Sequence, residues 1–260
     1  MTWILDLDGV VWLSEQPIPG SVDAIAALKE AGRRVLYVTN NAGPRVAELV
    51  EKLEGLGIPA SPDDLATSAQ AAATLLEPGT TALLCAGPGV EEALNERGVT
   101  VVREGPADAV VVGFHRDFVF FRLTAAFRAV LGGARLIATN DDVTYPTPDG
   151  PIPGGGAIVA AVAAASGVRP TVAGKPYAPM AALIRKRLEG NLQDAMMVGD
   201  RPSTDGLMAR RLSVPFALVL TGVTSEDEIS TDDPPDLVEP SLAALVEREL
   251  GSPTRAQETA

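Results

Sequence analysis

Cysteine and histidine are nearly absent from this chain. Among its 260 residues each occurs once, as Cys85 and His115. A single cysteine excludes an internal disulfide and points to a reducing compartment. Cys85 stands in the apolar run Ala82-Leu83-Leu84-Cys85-Ala86 and reads as a small buried hydrophobe rather than a nucleophile. A single histidine excludes zinc sites built from several imidazoles. Basic residues are also scarce: 21 Lys and Arg stand against 34 Asp and Glu, a net charge of −13. That excess argues against nucleic acid and anionic membrane as partners. It also means that a site for an anionic substrate must build its own local positive field. No uncharged apolar stretch is long enough to span a bilayer. The apolar run at the N-terminus has no basic residues before it and is broken by Asp6 and Asp8, unlike a signal peptide. The expectation is a cytoplasmic protein.

What is present is a globular composition, 46% hydrophobic, in which short apolar runs alternate with helical periodicities. Strands are predicted at 3–8, 33–38, 171–173, 195–198 and 216–220, and helices at 20–31, 44–56, 68–76, 178–188, 204–212 and 242–250. This α/β order predicts a parallel sheet with right-handed crossovers. The pattern breaks at Glu77-Pro78-Gly79 and resumes near Arg169. The expectation is a discontinuous core, 1–80 and 170–260, with an inserted α/β domain at 81–169. Within the insert, the stretch Asn140 to Gly156 is dense in Pro, Gly and Asp, and loops of that length are usually functional. Gly87-Pro88-Gly89-Val90 reads as a helix entry, and Gly154-Gly155-Gly156 as an anion cradle or a hinge. Ser252 to Ala260 reads as a disordered tail.

The stretch Trp3-Ile4-Leu5-Asp6-Leu7-Asp8-Gly9-Val10 is the organising one. Residues two apart on a strand face the same way, so Asp6 and Asp8 can address one spot. Asp-Gly between apolar runs is also a hairpin signal. The two readings are compatible, with Val10 to Leu13 forming a flap beside a site. Three further core strands run into Thr39-Asn40-Asn41, Gly174-Lys175-Pro176 and Gly199-Asp200-Arg201. Each alone is an ordinary turn or cap. A parallel sheet, however, brings all its carboxyl ends to one edge, where open α/β sheets bind ligands.

The charges suggest a chemistry. If Asp6, Asp8, Asp200 and Asp205 converge, each like-charge pair at ~4 Å and an effective dielectric of ~20 costs about 4 kcal/mol. Lys175 is the evident counter-charge, so the cluster calls for a cation. An all-oxygen donor set favours Mg²⁺. One carboxylate beside such an ion can attack phosphorus, and a second can protonate the leaving oxygen and later activate water. Lys175 and the Thr39 hydroxyl would hold the phosphoryl oxygens.

Asp6-Leu7-Asp8-Gly9-Val10, Thr39-Asn40-Asn41, Gly174-Lys175-Pro176 and Gly199-Asp200-Arg201-Pro202-Ser203-Thr204-Asp205 resemble the four motifs of the haloacid dehalogenase superfamily. The subgroup most similar is that of p-nitrophenyl phosphatases and phosphoglycolate phosphatases, which carries a large cap between the second and third motifs. Val112-Gly113-Phe114-His115-Arg116-Asp117 and Ala138-Thr139-Asn140-Asp141-Asp142 resemble cap segments of that subgroup.

The resemblance implies a Rossmann-like parallel-sheet core with an inserted cap, and Mg²⁺-dependent hydrolysis of a small phosphorylated metabolite. Asp6 would be the nucleophile and Asp8 the general acid/base. Asp6, the backbone carbonyl of Asp8, and Asp200 would bind Mg²⁺, with Asp205 supporting the ligands. Thr39, Asn40 and Lys175 would bind phosphate. An acid at Asp8 favours a phosphatase over a transport ATPase or a dehalogenase. Specificity would reside in the cap, at Asp142, Tyr145 and Arg116, and a homodimer through the cap is a further expectation. One departure is His115, where members often carry aspartate. Two other classes stay open on the residues alone: a phosphoacceptor signalling domain and a non-catalytic metabolite-binding protein on the same fold.

Overall fold

A computed structural model describes residues 1–145, 147 and 150–251 of the chain. The tail expected from Ser252 onward lies outside them. The strands are, in chain order, β1 (Thr2–Leu5), β2 (Trp12–Leu13), β3 (Gln16–Pro17), β4 (Arg34–Thr39), β5 (Leu65–Thr67), β6 (Thr81–Cys85), β7 (Thr100–Val102) and β8 (Ala109–Val112). They continue as β9 (Arg135–Ala138), β10 (Thr144–Tyr145), β11 (Ile152–Pro153), β12 (Thr171–Val172), β13 (Ala195–Gly199), β14 (Phe216–Val219) and β15 (Leu237–Glu239).

The larger sheet has the order β15-β14-β13-β1-β4-β5. Its central pairs are parallel, with Leu5 of β1 opposite Val198 of β13 on one side and Tyr37 of β4 on the other. Trp3, Ile4 and Leu5 are all buried. A strand covered on both faces needs such a continuous apolar run rather than alternation. Helices follow the rule that strand ends give way to polar or glycine punctuation. The helix Ser21–Glu30 stops at Ala31 and Gly32, the latter at φ 67°. Gly20, at φ 78°, precedes it, and a methyl group there would lie 2.9 Å from Ala243 of the helix Leu242–Leu250.

The smaller sheet is also parallel, in the order β12-β9-β8-β6-β7. Leu83, Cys85, Val110, Val112, Leu136 and Ala138 form one face of it. The helices Phe120–Leu131 and Gly155–Ser166 cover that face with Ala126, Val130, Ile158 and Val162. Cys85 is fully buried there, and burial pushes its thiol pKa up to about 12. The single cysteine is therefore the buried hydrophobe that its neighbours in sequence suggest.

The chain divides into two compact units, Met1–Tyr37 with Leu53–Ala60 and the residues from Asn191 on, and Val38–Lys52 with Ser61–Gly190. These bounds differ from the expected 1–80/170–260 and 81–169. Within the second unit the helix Ser68–Ala73 packs on the helices Pro88–Glu96 and Ala178–Arg187, which draws in residues on both sides of the expected insert. A second difference concerns the strand before Lys175. β12 pairs with β9, Thr171 opposite Ile137 and Val172 opposite Ala138, so it belongs to the smaller sheet. β12 is only two residues long, and Val172 ties it to the smaller sheet by packing against that sheet's apolar core.

Candidate active site

β1 ends at Leu5, and the next residue begins the site. The amide of Asp6 still donates to the Val198 carbonyl at 2.9 Å, which keeps Asp6 in line with the sheet. Its carboxylate then accepts the Leu7 amide at 2.7 Å. The carbonyl of Leu7 receives the amides of Val11 at 2.9 Å and Trp12 at 3.2 Å, which closes a tight turn. Gly9 makes that turn possible at φ 85°, a conformation open to glycine at little cost. A hairpin of β2 and β3 follows, so acids and hairpin coexist as the sequence allows. Its own reversal falls at Ser14-Glu15, with Ser14 at φ 53°, rather than at Asp8-Gly9. The hairpin also reaches back to the site: the indole Nε1 of Trp12 donates to Asp8 Oδ1 at 3.1 Å.

Asp6, Asp200 and Asp205 form a group in which one ligand oxygen from each lies within 4.8 Å of the others. Asp6 is 9% exposed, Asp200 4% and Asp205 not at all. Asp200 directly follows β13. Residues Pro202–Gly206 then form a single wide turn that carries Asp205 back before the helix Leu207–Leu212 begins. The carboxylate of Asp205 accepts the Arg201 amide at 3.2 Å, and a methyl group on Gly199 would overlap it. Asp200 is held by the Val223 amide at 2.7 Å. A methyl on Gly9 would stand 2.5 Å from Asp200 Oδ2, and one on Gly222 would overlap it. Three buried carboxylates so close repel one another unless a cation sits among them. The donor set is all oxygen and hard, and it fits a divalent metal ion of the Mg²⁺ type. The Asp8 carboxylate is not one of the three.

Sequence reasoning missed Thr221, Gly222 and Val223. They follow β14, a neighbour of β13, and so supply a polar strand end in the larger sheet that had been assigned to the strand before Lys175. The Thr221 hydroxyl donates to the Gly9 carbonyl at 2.6 Å. The available signal was Thr-Gly directly after the apolar run Phe216 to Leu220.

The second unit holds Thr39, Asn40 and Lys175 together. Thr39 ends β4, is 1% exposed, and accepts the Asn41 amide on its hydroxyl oxygen at 2.9 Å. Asn40 clasps the backbone of Lys175 from both sides: Oδ1 accepts the Lys175 amide at 2.7 Å, and Nδ2 donates to the Lys175 carbonyl at 3.0 Å. The Lys175 side chain is 1% exposed, and its ammonium donates to the Val38 carbonyl at 3.1 Å. Glycine at 174 is required, because a methyl there would lie 2.5 Å from Asn40 Oδ1 and 2.6 Å from the Thr139 carbonyl. Asn140, part of the cap segment read from sequence, donates to the Asn40 carbonyl at 2.7 Å, as does Ser68.

Of the three residues expected to set specificity, two lie with this group. Asp142 accepts from Asn40 Nδ2 at 3.1 Å, and Asn41 donates to the Tyr145 hydroxyl at 3.5 Å. Arg116 does not join them. It lies over the ring of Phe114, 5.9 Å from its centroid, while Phe114 stacks on Tyr145 at 5.0 Å. The segment Asn140 to Gly156 contains the small hairpin β10–β11. Its glycines permit close packing: methyl groups on Gly154 and Gly156 would collide with the carbonyls of Asp142 and Asp141. They let the loop lie against the start of the helix Gly155–Ser166. Gly87 opens the helix Pro88–Glu96, the reading preferred from sequence.

A parallel sheet whose central strand runs into acids gathered for a hard cation is the frame of a phosphoryl-transfer enzyme. Known proteins agree. The sequence profile described as "Haloacid dehalogenase-like hydrolase" matches residues 3–100, and a second profile of the same type matches 172–245. An acid sugar phosphatase of Staphylococcus saprophyticus is 34% identical over 90% of this chain and 91% of its own length. The p-nitrophenyl phosphatase of Archaeoglobus fulgidus is similar in structure, with a TM-score of 0.86, 32% identity, and 95% of this chain and 98% of that one covered. So is a glycerol phosphate phosphatase of Mycobacterium tuberculosis in complex with magnesium, with a TM-score of 0.85, 34% identity, and 94% and 75% covered. The chain belongs to the haloacid dehalogenase-like hydrolases, and it is a phosphatase, a phosphoric monoester hydrolase. This removes the phosphoacceptor and non-catalytic alternatives. No helix among the described residues is long and apolar enough to cross a membrane.

Proposed function

We propose that this phosphatase is Mg²⁺-dependent and acts on small-metabolite monoesters, such as glycerol phosphate, phosphoglycolate, or sugar and nucleotide phosphates. The observation that carries the reading is the division of labour among the acids. Asp6 lies in the buried group with Asp200 and Asp205, whereas Asp8 is held outside it by Trp12. A carboxylate beside a metal site suits a nucleophile, and one kept out of it can carry a proton. Asp6, Asp200 and Asp205 would hold the ion, which when bound neutralises their repulsion and the charge of the phosphoryl group. The names of the relatives, among them acid sugar phosphatase and glycerol phosphate phosphatase, support the substrate class.

In the proposed reaction a carboxylate oxygen of Asp6 forms a bond to phosphorus as the ester oxygen leaves. That oxygen takes the proton of the Asp8 carboxylic acid. Water then attacks the aspartyl-phosphate, giving its proton to Asp8, and the phosphorus–oxygen bond to Asp6 breaks to release phosphate. Thr39, Asn40 and Lys175 act on the non-reacting phosphoryl oxygens, whose charge must be stabilised in the transition state. Those groups address a feature common to all monoesters, so discrimination falls to residues such as Asp142 and Tyr145.

The test is hydrolysis of p-nitrophenyl phosphate and a panel of phosphorylated metabolites. Wild-type activity should vanish in EDTA and return with Mg²⁺ but not with Ca²⁺, whose longer bonds and higher coordination misplace Asp6. Asp6→Asn should lose turnover while keeping the fold, since the uncatalysed reaction is too slow to mask the loss. Turnover close to wild type in that variant would remove the covalent mechanism.

A further inference from the structure

Trp12 brackets the turn that carries Asp8 with three hydrogen bonds. Its amide donates to the Leu7 carbonyl at 3.2 Å, and its carbonyl accepts the Gly9 amide at 2.8 Å. Its indole Nε1 donates to Asp8 Oδ1 at 3.1 Å. The first two bonds belong to the backbone and survive any substitution other than proline. The third depends on the side chain alone. Trp12 is 2% exposed and stands opposite Pro17 in the β2–β3 hairpin. A ring packed in this way has few rotamers open to it, so its N–H points in a fixed direction. Asp8 itself is only partly buried, and the bond ties its carboxyl group to that rigid ring.

An indole nitrogen donates and never accepts. When the Asp8 carboxyl is protonated, the oxygen that receives the indole hydrogen is therefore the carbonyl-type one, and the proton rides on Oδ2. The bond selects both the oxygen that carries the proton and the direction in which that oxygen faces. The need to satisfy a buried indole is not by itself a sufficient reason for the contact. Trp3, the other tryptophan of the chain, lies in β1 of the same unit with its Nε1 buried and no partner among the described residues.

We propose that Trp12 is a positioning residue for proton transfer: its indole N–H aims the Asp8 acid at the departing ester oxygen, and it matters most for substrates whose alcohols leave poorly. With Asp8 as the general acid of the proposed reaction, on which this reading rests, the first step forms a bond from an Asp6 oxygen to phosphorus and breaks the bond from phosphorus to the ester oxygen. The electron pair of the broken bond stays on the ester oxygen, and the proton of Asp8 Oδ2 passes to it. A nitrophenolate spreads that charge into its nitro group and leaves with little help. Phenolate keeps more of the charge on oxygen and gains more from the proton. The aliphatic alcohols of small metabolites gain more still, so Trp12 bears on a metabolite ester more than on a chromogenic one.

The test compares phenyl phosphate with p-nitrophenyl phosphate, in single turnovers with enzyme in excess and saturating Mg²⁺, so that only release of the first product is read. Trp12→Phe keeps the two backbone bonds and most of the apolar bulk but removes the N–H. It should slow phenol release about tenfold or more beyond its effect on nitrophenol release. A loss of folded enzyme lowers both rates alike and leaves their ratio untouched. 3-Benzothienylalanine at position 12, with sulfur in place of the N–H on a ring of the same shape, should reproduce the altered ratio. Trp3→Phe, which removes the unpartnered indole, should leave the ratio as in wild type. Asp8→Asn separates the positioning role from the mechanism beneath it, and should widen the gap between the two esters about 10²-fold or more. If Asp8→Asn widens that gap and neither replacement of Trp12 does, Trp12 has no positioning role. If Asp8→Asn slows both esters equally, the acid assignment falls and the role of Trp12 falls with it.

Discussion

Asp200 is fixed in part by residues outside the four motifs. The Val223 amide bonds its Oδ2, and Gly9 and Gly222 leave it room on either side. Gly222→Ala puts a methyl group onto that carboxylate, so either the side chain or the loop after β14 must move. Displacing a catalytic group by about 1 Å can cost 10²-fold in rate. The expected outcome is a fall in kcat of about that size on p-nitrophenyl phosphate, with an unchanged circular dichroism spectrum. At this scale much of the site was legible. Asp6, Asp8, Thr39, Asn40 and Asp200 stand where apolar strands run out, and a polar residue there has a job or a cost. The bonds of Asn140 and Thr221 to distant backbone carbonyls, and that of Asn41 to the Tyr145 hydroxyl, were not legible, because no local pattern encodes partners so far away in sequence. His115 could be noticed only as a departure. Its unpaired nitrogen emerges only once Gly113 is seen to take the other one.

Elements of four or more residues with clear apolar runs were read from sequence to within a few residues, as was the two-residue β12, but other short ones were not. β5 and β15 have three residues each, too few to show a period of two. β15 is held at its start by a side chain. Asp236 Oδ2 accepts the Phe216 amide and Arg210 Nη1, both at 2.8 Å. The bond from Phe216, and after it Arg210, holds the Asp236 carboxyl below the ordinary carboxylate range. A lowered native pKa means that the ionised form stabilises the fold. This contribution is complete above the unfolded value of about 3.9 and fades as the pH falls through the native one. Asp236→Ala should therefore lower the thermal midpoint at pH 7, by about 1 kcal/mol of stability for the lost bond. The gap to wild type should close as the pH drops below about 4. Thermal melts of both proteins from pH 7 to 3 give the measurement, and a gap that widens in acid would contradict the assignment.

For the molecule as a whole, composition and strand order foretold two α/β sheets, and both are there. Their limits were not foretold, because helix packing sets them. Nothing in Ser68–Ala73 or Ala178–Arg187 announces which neighbours these helices will choose. The position of Cys85 has a use here. β6 lies between β8 and β7, so the sole thiol of the chain sits in the interior of the smaller sheet, with its pKa raised to about 12. An alkylating reagent needs the thiolate and needs access, and the closed sheet withholds both. Labelling at neutral pH then proceeds only as fast as this sheet opens, and the rate counts those openings. Leu136→Ala, which empties part of the covered face, should destabilise it by about 2 kcal/mol or more and raise the labelling rate roughly thirtyfold. One cysteine in 260 residues thus works as a chemical clock for the opening of a single sheet, readable by mass spectrometry in the intact protein.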